Sequence, residues 1–337
     1  MSTRTTWRPR LADGTLPVLV VLVALLIGLA IAGPAYTEGS GYLALLKRAA
    51  PLMILAIGQY FVIVSGGFDL SVGSLVTAEV VIAARLIDGQ DGATYWVIAL
   101  LLGFGALVGA INGVLSTKLL VPSFIVTLGM LLVLDGAVFL WTGGAPRGAL
   151  SPSFREFGRG GMDLPVIGVL PWSVVILVAV LVAAVLFMRG GTGRTLVAVG
   201  DNESAVKLAG GRVDGLRILA FVLSGLLAAL AAILLGGFAG VSAQVGQGLE
   251  FRAITAVVLG GVLLGGGRGS VVAAAMGALS LEALFSLLNL LGVSGALESA
   301  VQGVIIIAAV AYAALGTGLR HRIFPRRQSL STKENTA

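Results

Sequence analysis

The chain has no cysteine and one histidine among its 337 residues. Without thiols there is no disulfide and no thiolate metal site. The lone His321 lies in a basic C-terminal stretch, so no Ser/His/Asp set is possible elsewhere in the chain. Zinc-dependent and His-dependent catalysis are excluded on that ground, and no cofactor is expected. Charge is scarce as well: Asp, Glu, Lys and Arg make up 11% of the chain, against about 25% in soluble domains. A phosphate loop is missing too, because the glycine run from Gly265 to Ser270 lacks the Lys-Ser/Thr ending that the motif needs. Any ATP hydrolysis must come from another chain.

What is abundant is apolar surface. Hydrophobic residues reach 57% and the mean hydropathy is +1.03. Such a chain buries its side chains in lipid rather than around one aqueous core. A bilayer span needs about 20 mainly apolar residues. Candidate spans fall at 17–36, 43–65, 70–88, 95–117, 122–142, 168–188, 216–237, 252–267, 271–292 and 299–317. The expected fold is all-α: a polytopic membrane helix bundle of about ten transmembrane helices. The third and eighth segments are rich in Gly, Ser and Thr and adjoin glycine clusters, so they read as broken or partly re-entrant. Arg4, Arg8 and Arg10 precede an apolar run from Leu16 to Ala32. That run is longer than a typical signal-peptide core, which favours a retained first helix. The organisation expected is a tail at 1–16, one membrane domain at 17–317 and a basic tail at 318–337.

The net charge of +6 does not point to nucleic acid, because it is gathered in connecting segments. With both termini inside, Lys118, Arg189, Arg194, Lys207, Arg212, Arg217 and Arg268 join the basic tails on the inner side. Lys47, Arg48, Arg85, Arg147, Arg155, Arg159 and Arg252 fall outside or at outer helix ends. The excess of basic residues inside supports that orientation. It places the connection 143–167 outside and the connection 189–215 in the cytoplasm.

An ionisable group at membrane depth costs at least about 2.5–3.5 kcal/mol at a helix centre. Gln59, Asp69, Glu79, Asn112, Asp135, Glu250, Glu282, Asn289 and Gln302 all fall inside apolar segments or beside glycine breaks. Gln59, Asp69, Ser71, Asn112, Glu282 and Asn289 are the candidate pathway residues. Glu282, Ser286 and Asn289 share one helix face. Hydrogen bonds between helices, with no contact to a solute, are the alternative for each, and the preferred reading for Asp135, which stands alone. In the stretch Ser65-Gly66-Gly67-Phe68-Asp69-Leu70-Ser71-Val72-Gly73, glycines free the chain to leave helical geometry. Asp69 and Ser71 can then cap the next helix start. Such irregular backbone is tolerated only inside protein or beside a water-filled cavity. Gly105, Gly109 and Gly113 form a small-residue stripe that lets helix backbones approach.

Four stretches resemble the permease family of ribose-type ABC sugar importers: GQYFVIVSGGFDLSVGSL from Gly58, PSFIVTLGMLLVLDGAVFLWTGG from Pro122, GRTLVAVGDNESAVKLAGGRVDGLRILAFVLSG from Gly193, and GLEFRAITAVVLGGVLLGGGRGSVVAAAMGAL from Gly248. They occur in the family's order. The resemblance implies a permease in the cytoplasmic membrane of a prokaryote, with about ten helices in two halves of inverted topology. It implies as partners a second permease subunit, expected as a homodimer, an ATP-binding subunit inside and an extracytoplasmic solute-binding protein, all in membrane lipid. Departures at Asp135, Asp201, Arg252 and Val262-Leu263-Leu264 leave the solute open among monosaccharides and related small polar molecules. The alternative is an ion-coupled secondary transporter using Glu79, Glu250 or Glu282 as a proton site. A membrane enzyme or structural subunit is a third class, but no reaction is proposed by these residues.

The stretch from Gly200 to Gly215 is expected to dock on the ATPase. Asp201, Asn202 and Glu203 can cap a short helix and suit its dipole. Ala205, Leu208 and Ala209 give it a small apolar surface, and Gly210 can end it in left-handed geometry. The family resemblance places the coupling segment here too.

Overall fold

The computed structural model describes residues 12–165, 168–293, 295, 297–308 and 311. Most of the N-terminal tail, His321, the C-terminal tail and the last part of the expected tenth span lie outside the described residues. The chain is a bundle of helices: α1 (Ala12–Ala32), α2 (Gly39–Val64), α3 (Val72–Ile87), α4 (Thr94–Lys118), α5 (Ser123–Thr142), α6 (Pro152–Arg159), α7 (Trp172–Arg189), α8 (Gly191–Asp201), α9 (Glu203–Leu208), α10 (Val213–Ala239), α11 (Leu249–Leu259) and α12 (Val271–Leu290), with α13 (Leu297–Ala308) after them. Among the described residues, seven stretches are long and apolar enough to cross a membrane; they correspond to α1, α2, α4, α5, α7, α10 and α12. The third and eighth expected spans are shorter helices. At a rise of about 1.5 Å per residue, α3 extends about 24 Å and α11 about 16 Å, less than a bilayer core of about 30 Å.

Burial follows the sequence pattern. From Ala49 to Val64, α2 is buried on every side, as an all-round apolar helix must be in the middle of a bundle. It packs on α10 and α12. The glycine stripe of α4 lies along α10: a Cβ at Gly105 would strike the Gly225 carbonyl, one at Gly109 the Phe221 carbonyl, and one at Gly113 would come within 2.8 Å of Ile218 Cα. Glycine is what brings these backbones together, with no hydrophobic drive available between helices in lipid. By contrast α1, α5 and α7 keep broad apolar faces exposed.

The bundle has two distinguishable ends. At one, α8 and α9 lie beside the C-terminal end of α4 and the start of α10, where Lys118 pairs with Asp214 at 3.0 Å. At the other, α6 rests on the last turn of α10, with Arg159 donating to the Phe238 carbonyl at 3.1 Å. The connection 143–167, expected to lie outside, and the residues after it carry α6 and a two-stranded antiparallel hairpin of β1 (Gly161–Leu164) and β2 (Gly168–Pro171). Ser151 caps α6 by accepting from the Phe154 N–H, and Pro152 occupies its first turn, where proline's missing N–H is harmless.

Candidate functional site

The break before α3 is the most heavily bonded polar point inside the bundle. After α2 ends at Val64, the chain turns through Gly66 at φ +88° and passes Asp69. One carboxylate oxygen of Asp69 accepts from the Ser71 N–H (3.0 Å) and hydroxyl (2.6 Å). The other accepts from Ser224 of α10 at 2.9 Å. Asn112 of α4 donates to Ser71 Oγ at 2.9 Å. Gln59 of α2, its amide oriented by its neighbours, bonds the Asp69 carbonyl (3.1 Å) and N–H (3.3 Å). Asp69 does not cap α3 as expected: it closes a turn on the N-cap residue Ser71, α3 has no side-chain capping bond, and the network around it ties three helices to the break. Gln59, Asp69, Ser71 and Asn112 are all buried, and they form one network rather than a lining.

A second break faces the first. Residues 240–248 leave α10 at the α6 end and dip back into the bundle, where the Gly246 N–H donates to Thr77 Oγ1 of α3 at 3.0 Å. From there α11 runs on to the glycine turn at 260–269, whose Gly267 N–H meets the Val64 carbonyl at 2.9 Å, at the α8–α9 end. So α3 and α11 both begin inside the bundle and run towards opposite ends, N-terminus near N-terminus. A Cβ at Gly73 would strike the Glu250 carboxylate and lie 2.7 Å from the Gly246 carbonyl. A cavity of about 540 Å³ opens at this junction, lined by Ser74, Thr77, Gln244, Gln247 and Glu250, with Leu131, Asp135 and Phe139 of α5 across it. Asp135 does not stand alone, as its sequence context suggested: it shares the cavity with Glu250. Sequence reading missed this group, but the signal was present as a repeat, Gly67-Phe68-Asp69-Leu70 against Gly248-Leu249-Glu250-Phe251.

Glu282 and Asn289 lie elsewhere. They line a cavity of about 350 Å³ with Tyr36, Arg48, Arg252, Phe285, Ser286 and Glu298. Arg48 donates to Tyr36 Oη at 3.0 Å and to Ser286 Oγ at 3.3 Å. Asn289 donates to Glu298 at 3.2 Å, and the Arg252 guanidinium sits 4.7 Å above the Phe285 ring. Glu79 is different again. It is fully buried in α3, and neither of its oxygens is hydrogen bonded within the described residues. It fills a niche beside Gly105, where a Cβ would come 2.9 Å from Oε1.

The connection between α7 and α10 folds as two helices, of which α8 was not anticipated. Asn202 caps α9 by accepting from the Ala205 N–H at 3.0 Å. The helix closes at Gly210, φ +79°, with the Gly211 N–H returning to the Val206 carbonyl at 2.9 Å. Glu203 pairs with Lys207 (2.6 Å) and with Arg217 of α10 (2.7 Å). The Lys207 hydrogen bond, with help from Arg217, holds the Glu203 carboxyl below the usual glutamate range. Arg217 in turn donates to the Ser65 carbonyl at 3.4 Å. Ala205, Leu208 and Ala209 are exposed, with Leu208 at 90%. Asp201 meets the turn after α11, since a Cβ at Gly267 would lie 2.5 Å from Asp201 Cα.

The family model for the branched-chain amino acid transport system / permease component matches residues 41–310. The chain belongs to this family. Its relatives include the ribose import permease protein RbsC of Escherichia coli (strain K12), 37% identical over 298 residues, covering 86% of this chain and 91% of that protein. The ribose import permease protein RbsC of Bacillus subtilis (strain 168) is 36% identical over 302 residues, 87% and 88% of the two chains. The autoinducer 2 import system permease protein LsrC of Enterobacter sp. (strain 638) is 34% identical over 300 residues, 88% and 85%. No solved structure matches. As a member of this permease family the chain is a transport subunit, a multi-pass inner-membrane protein that leaves ATP hydrolysis to a separate subunit.

Proposed function

We propose that this chain forms the translocation pathway of an ATP-driven, binding-protein-dependent importer of a monosaccharide or related small polar solute. Its partners are an ATP-binding subunit, an extracytoplasmic solute-binding protein and a second copy of the chain, with both termini cytoplasmic. One observation carries the reading beyond family membership. Asp135 sits halfway along α5 on an exposed face. A carboxylate facing lipid at that depth is costly, so this face turns towards the second permease and a wet route between the two. The inverted repeat is supported by α3 and α11, short helices of opposite direction that each carry a glycine–apolar–acid–apolar sequence at their start, just ahead of α3 and in the first turn of α11. On this reading α2–α5 answer to α10–α13, which with α1 and α7 gives ten membrane elements in a single domain from 17 to 317.

Glu282 and Asn289 line the route at the α6 end. Gln59, Asp69, Ser71 and Asn112 serve it from behind, by fixing the break that shapes its wall. The segment around α9 docks on the ATPase, with Asp201, Asn202 and Glu203 setting the helix and Ala205, Leu208, Ala209 and Gly210 offering the surface. Its unpartnered apolar face supports this, because every other feature of α9 is tied to its own chain.

The test is uptake into proteoliposomes holding the permease, its ATPase and its binding protein. Transport should need ATP and all three components. Uptake by the permease alone, driven by a pH gradient, would replace this reading with the ion-coupled one, for which the unbonded Glu79 is the proton site. Ala205→Glu with Ala209→Glu should leave membrane insertion intact and release the ATPase or uncouple its hydrolysis from uptake. Wild-type uptake and ATPase binding in that double variant would remove the docking assignment.

A further inference from the structure

We propose that the cavity where α3 and α11 face each other is a contact site for a neutral polyhydroxylated solute, with Asp135 and Glu250 accepting its hydroxyls and Gln244 and Gln247 bridging to its oxygens. The proposal rests on the importer reading and names the solute class that this part of the route takes.

The cavity's volume of about 540 Å³ falls within the range of about 300–1,000 Å³ usual for small-molecule sites. Its chemistry comes from separate elements. Asp135 projects from α5, Glu250 from the first turn of α11, and the two glutamines from the strand of chain that dips in from the α6 end. The side chains of Asp135, Gln244 and Gln247 make no hydrogen bond within the described residues. Their donors and acceptors are therefore available to a guest. Carboxylates only accept, amides do both, and a sugar hydroxyl does both. Phe139 and Leu131 form an apolar wall, which suits the C–H face of a sugar ring.

Charge selects among small solutes. No lysine or arginine lines the cavity, so an anion finds no cationic partner and two carboxylates against it. A cation is disfavoured more subtly. The N-termini of α3 and α11 both point here, and each carries the equivalent of about half a positive charge. Glu250 sits on the first turn of α3 as well as in that of α11, so much of its charge is answered before any solute arrives. What remains is a nearly balanced, hydrogen-bonding site. Paired half-helices with their ends inside the membrane are a general way to present unspent backbone polarity to a transported solute.

The experiment uses the complete importer in proteoliposomes. The chain contains no cysteine, so a single thiol in it is read by a hydrophilic maleimide without background from the chain. The variants are Gln247→Cys and Ala243→Cys in the cavity, with Leu140→Cys, exposed on α5 away from the cavity lining, as the unreactive control. The probes are D-ribose and a panel of neutral pentoses and hexoses, with putrescine as the cation. Both cavity thiols should label, and a sugar that the wild-type importer transports should slow labelling about tenfold. Asp135→Asn and Glu250→Gln should each raise KM for that sugar about tenfold, the loss expected when a hydrogen bond to a charged group is weakened, while the ATPase stays bound. If uptake of a sugar is intact in the wild type but the cavity thiols are inert or unprotected, the site is wrong and the importer reading stands. Protection by putrescine and not by sugars overturns the solute class at the site. If the wild type moves no neutral sugar, the sugar-importer reading falls, and this proposal with it.

Discussion

The two interior helix starts, α3 and α11, are built from the same sequence device and finished in opposite ways. Each uses a glycine, an apolar residue, an acid and another apolar residue: Gly67–Leu70 lies just ahead of α3, whereas Gly248–Phe251 spans the N-cap and first turn of α11. At α3 the acid is consumed by the protein: Asp69 takes both donors of Ser71 and the hydroxyl of Ser224, while Asn112 and Gln59 secure the same turn. At α11 the acid makes no side-chain hydrogen bond to another element among the described residues: Glu250 is 7% exposed and lines a cavity shared with Asp135. The bonded polar cluster at α3, in which Asn112 Oδ1 alone lacks a partner among the described residues, holds the break in place, because every member would be costly alone. A partly open one keeps hydrogen-bonding capacity for something else. The contrast assigns α3 to the frame and α11 to the changing side of the route.

The largest effect should come from forcing the two starts apart. Gly73→Val places carbon where the Glu250 carboxylate and the Gly246 carbonyl now sit. The carboxylate ends a flexible side chain and can move aside, but the Gly246 carbonyl is backbone, and Gly246 is also held by Thr77. Overpacking of this kind costs about 1–3 kcal/mol or more, and here it also separates two elements of the bundle. Size-exclusion chromatography of detergent-extracted protein should show loss of the monodisperse permease. Gly129→Ala, in α5 with nothing within 4 Å of the added carbon, should run as wild type. A well-behaved, transporting Gly73→Val protein would mean that the junction is looser than its geometry says.

An intermediate effect should separate the two acids directly. Asp69→Leu strips the acceptor from the Ser71 N–H, the Ser71 hydroxyl and the Ser224 hydroxyl. Each buried donor left without a partner costs about 1–3 kcal/mol. Asp69→Asn should recover most of that, since its remaining oxygen can still accept from Ser71 and its amide can donate to the Ser224 hydroxyl. Glu250→Gln should leave the thermal midpoint near wild type and act on transport instead. Thermal unfolding in detergent checks all three. Equal loss of stability from Asp69→Leu and Glu250→Gln would erase the distinction between frame and cavity.

Much of the α3 side was legible in the sequence, and little of the α11 side was. The break at Ser65–Ser71 announces itself through adjacent glycines and an acid that bonds its own turn, all within a few residues. The α4 glycine stripe is likewise a local spacing. The cap–helix–glycine order of α9 could be read in the same way, and it is present at Asn202, Glu203–Leu208 and Gly210. The junction at Gly73 and Gly246 is different. It joins positions far apart in the chain through backbone and glycine, and such contacts leave no apolar periodicity to detect. Residues 240–248 look polar and short, which is also how an ordinary outer turn looks. Asp135 read as solitary because its neighbour in space is Glu250, distant in the chain. For the six-residue α9 the sequence showed caps, but α8 and α6, with modest apolar content, lay hidden in stretches rich in glycine and arginine.

The smallest effect concerns how unequally the two starts are tied to the α8–α9 end. The approach to α3 has a polar tether: Glu203 holds Arg217, and Arg217 reaches the Ser65 carbonyl. The exit from α11 meets the same end through backbone, with the Gly267 N–H bonded to the Val64 carbonyl and Gly267 packed on Asp201. Only the first tether runs through an ion pair. The folded-state pKa of Glu203 is lowered, first by the Lys207 hydrogen bond and then by Arg217. A lowered carboxylate contributes stability that is fully present above its ordinary value of 4.5 and is lost as pH falls through the folded-state value. Amide exchange in α9, corrected for intrinsic rates, should therefore keep the same protection from neutrality down to about that pH and lose some below it. The glutamate side chain is 35% exposed, so the pair is worth at most about 1 kcal/mol. Glu203→Gln should abolish the acid-dependent part and leave the contacts of Gly267 unaffected. If protection in the Gly260–Gly269 turn follows the same acid profile as α9, the two starts are tethered alike, and the asymmetry between them ends inside the membrane rather than reaching the surface proposed for the ATPase.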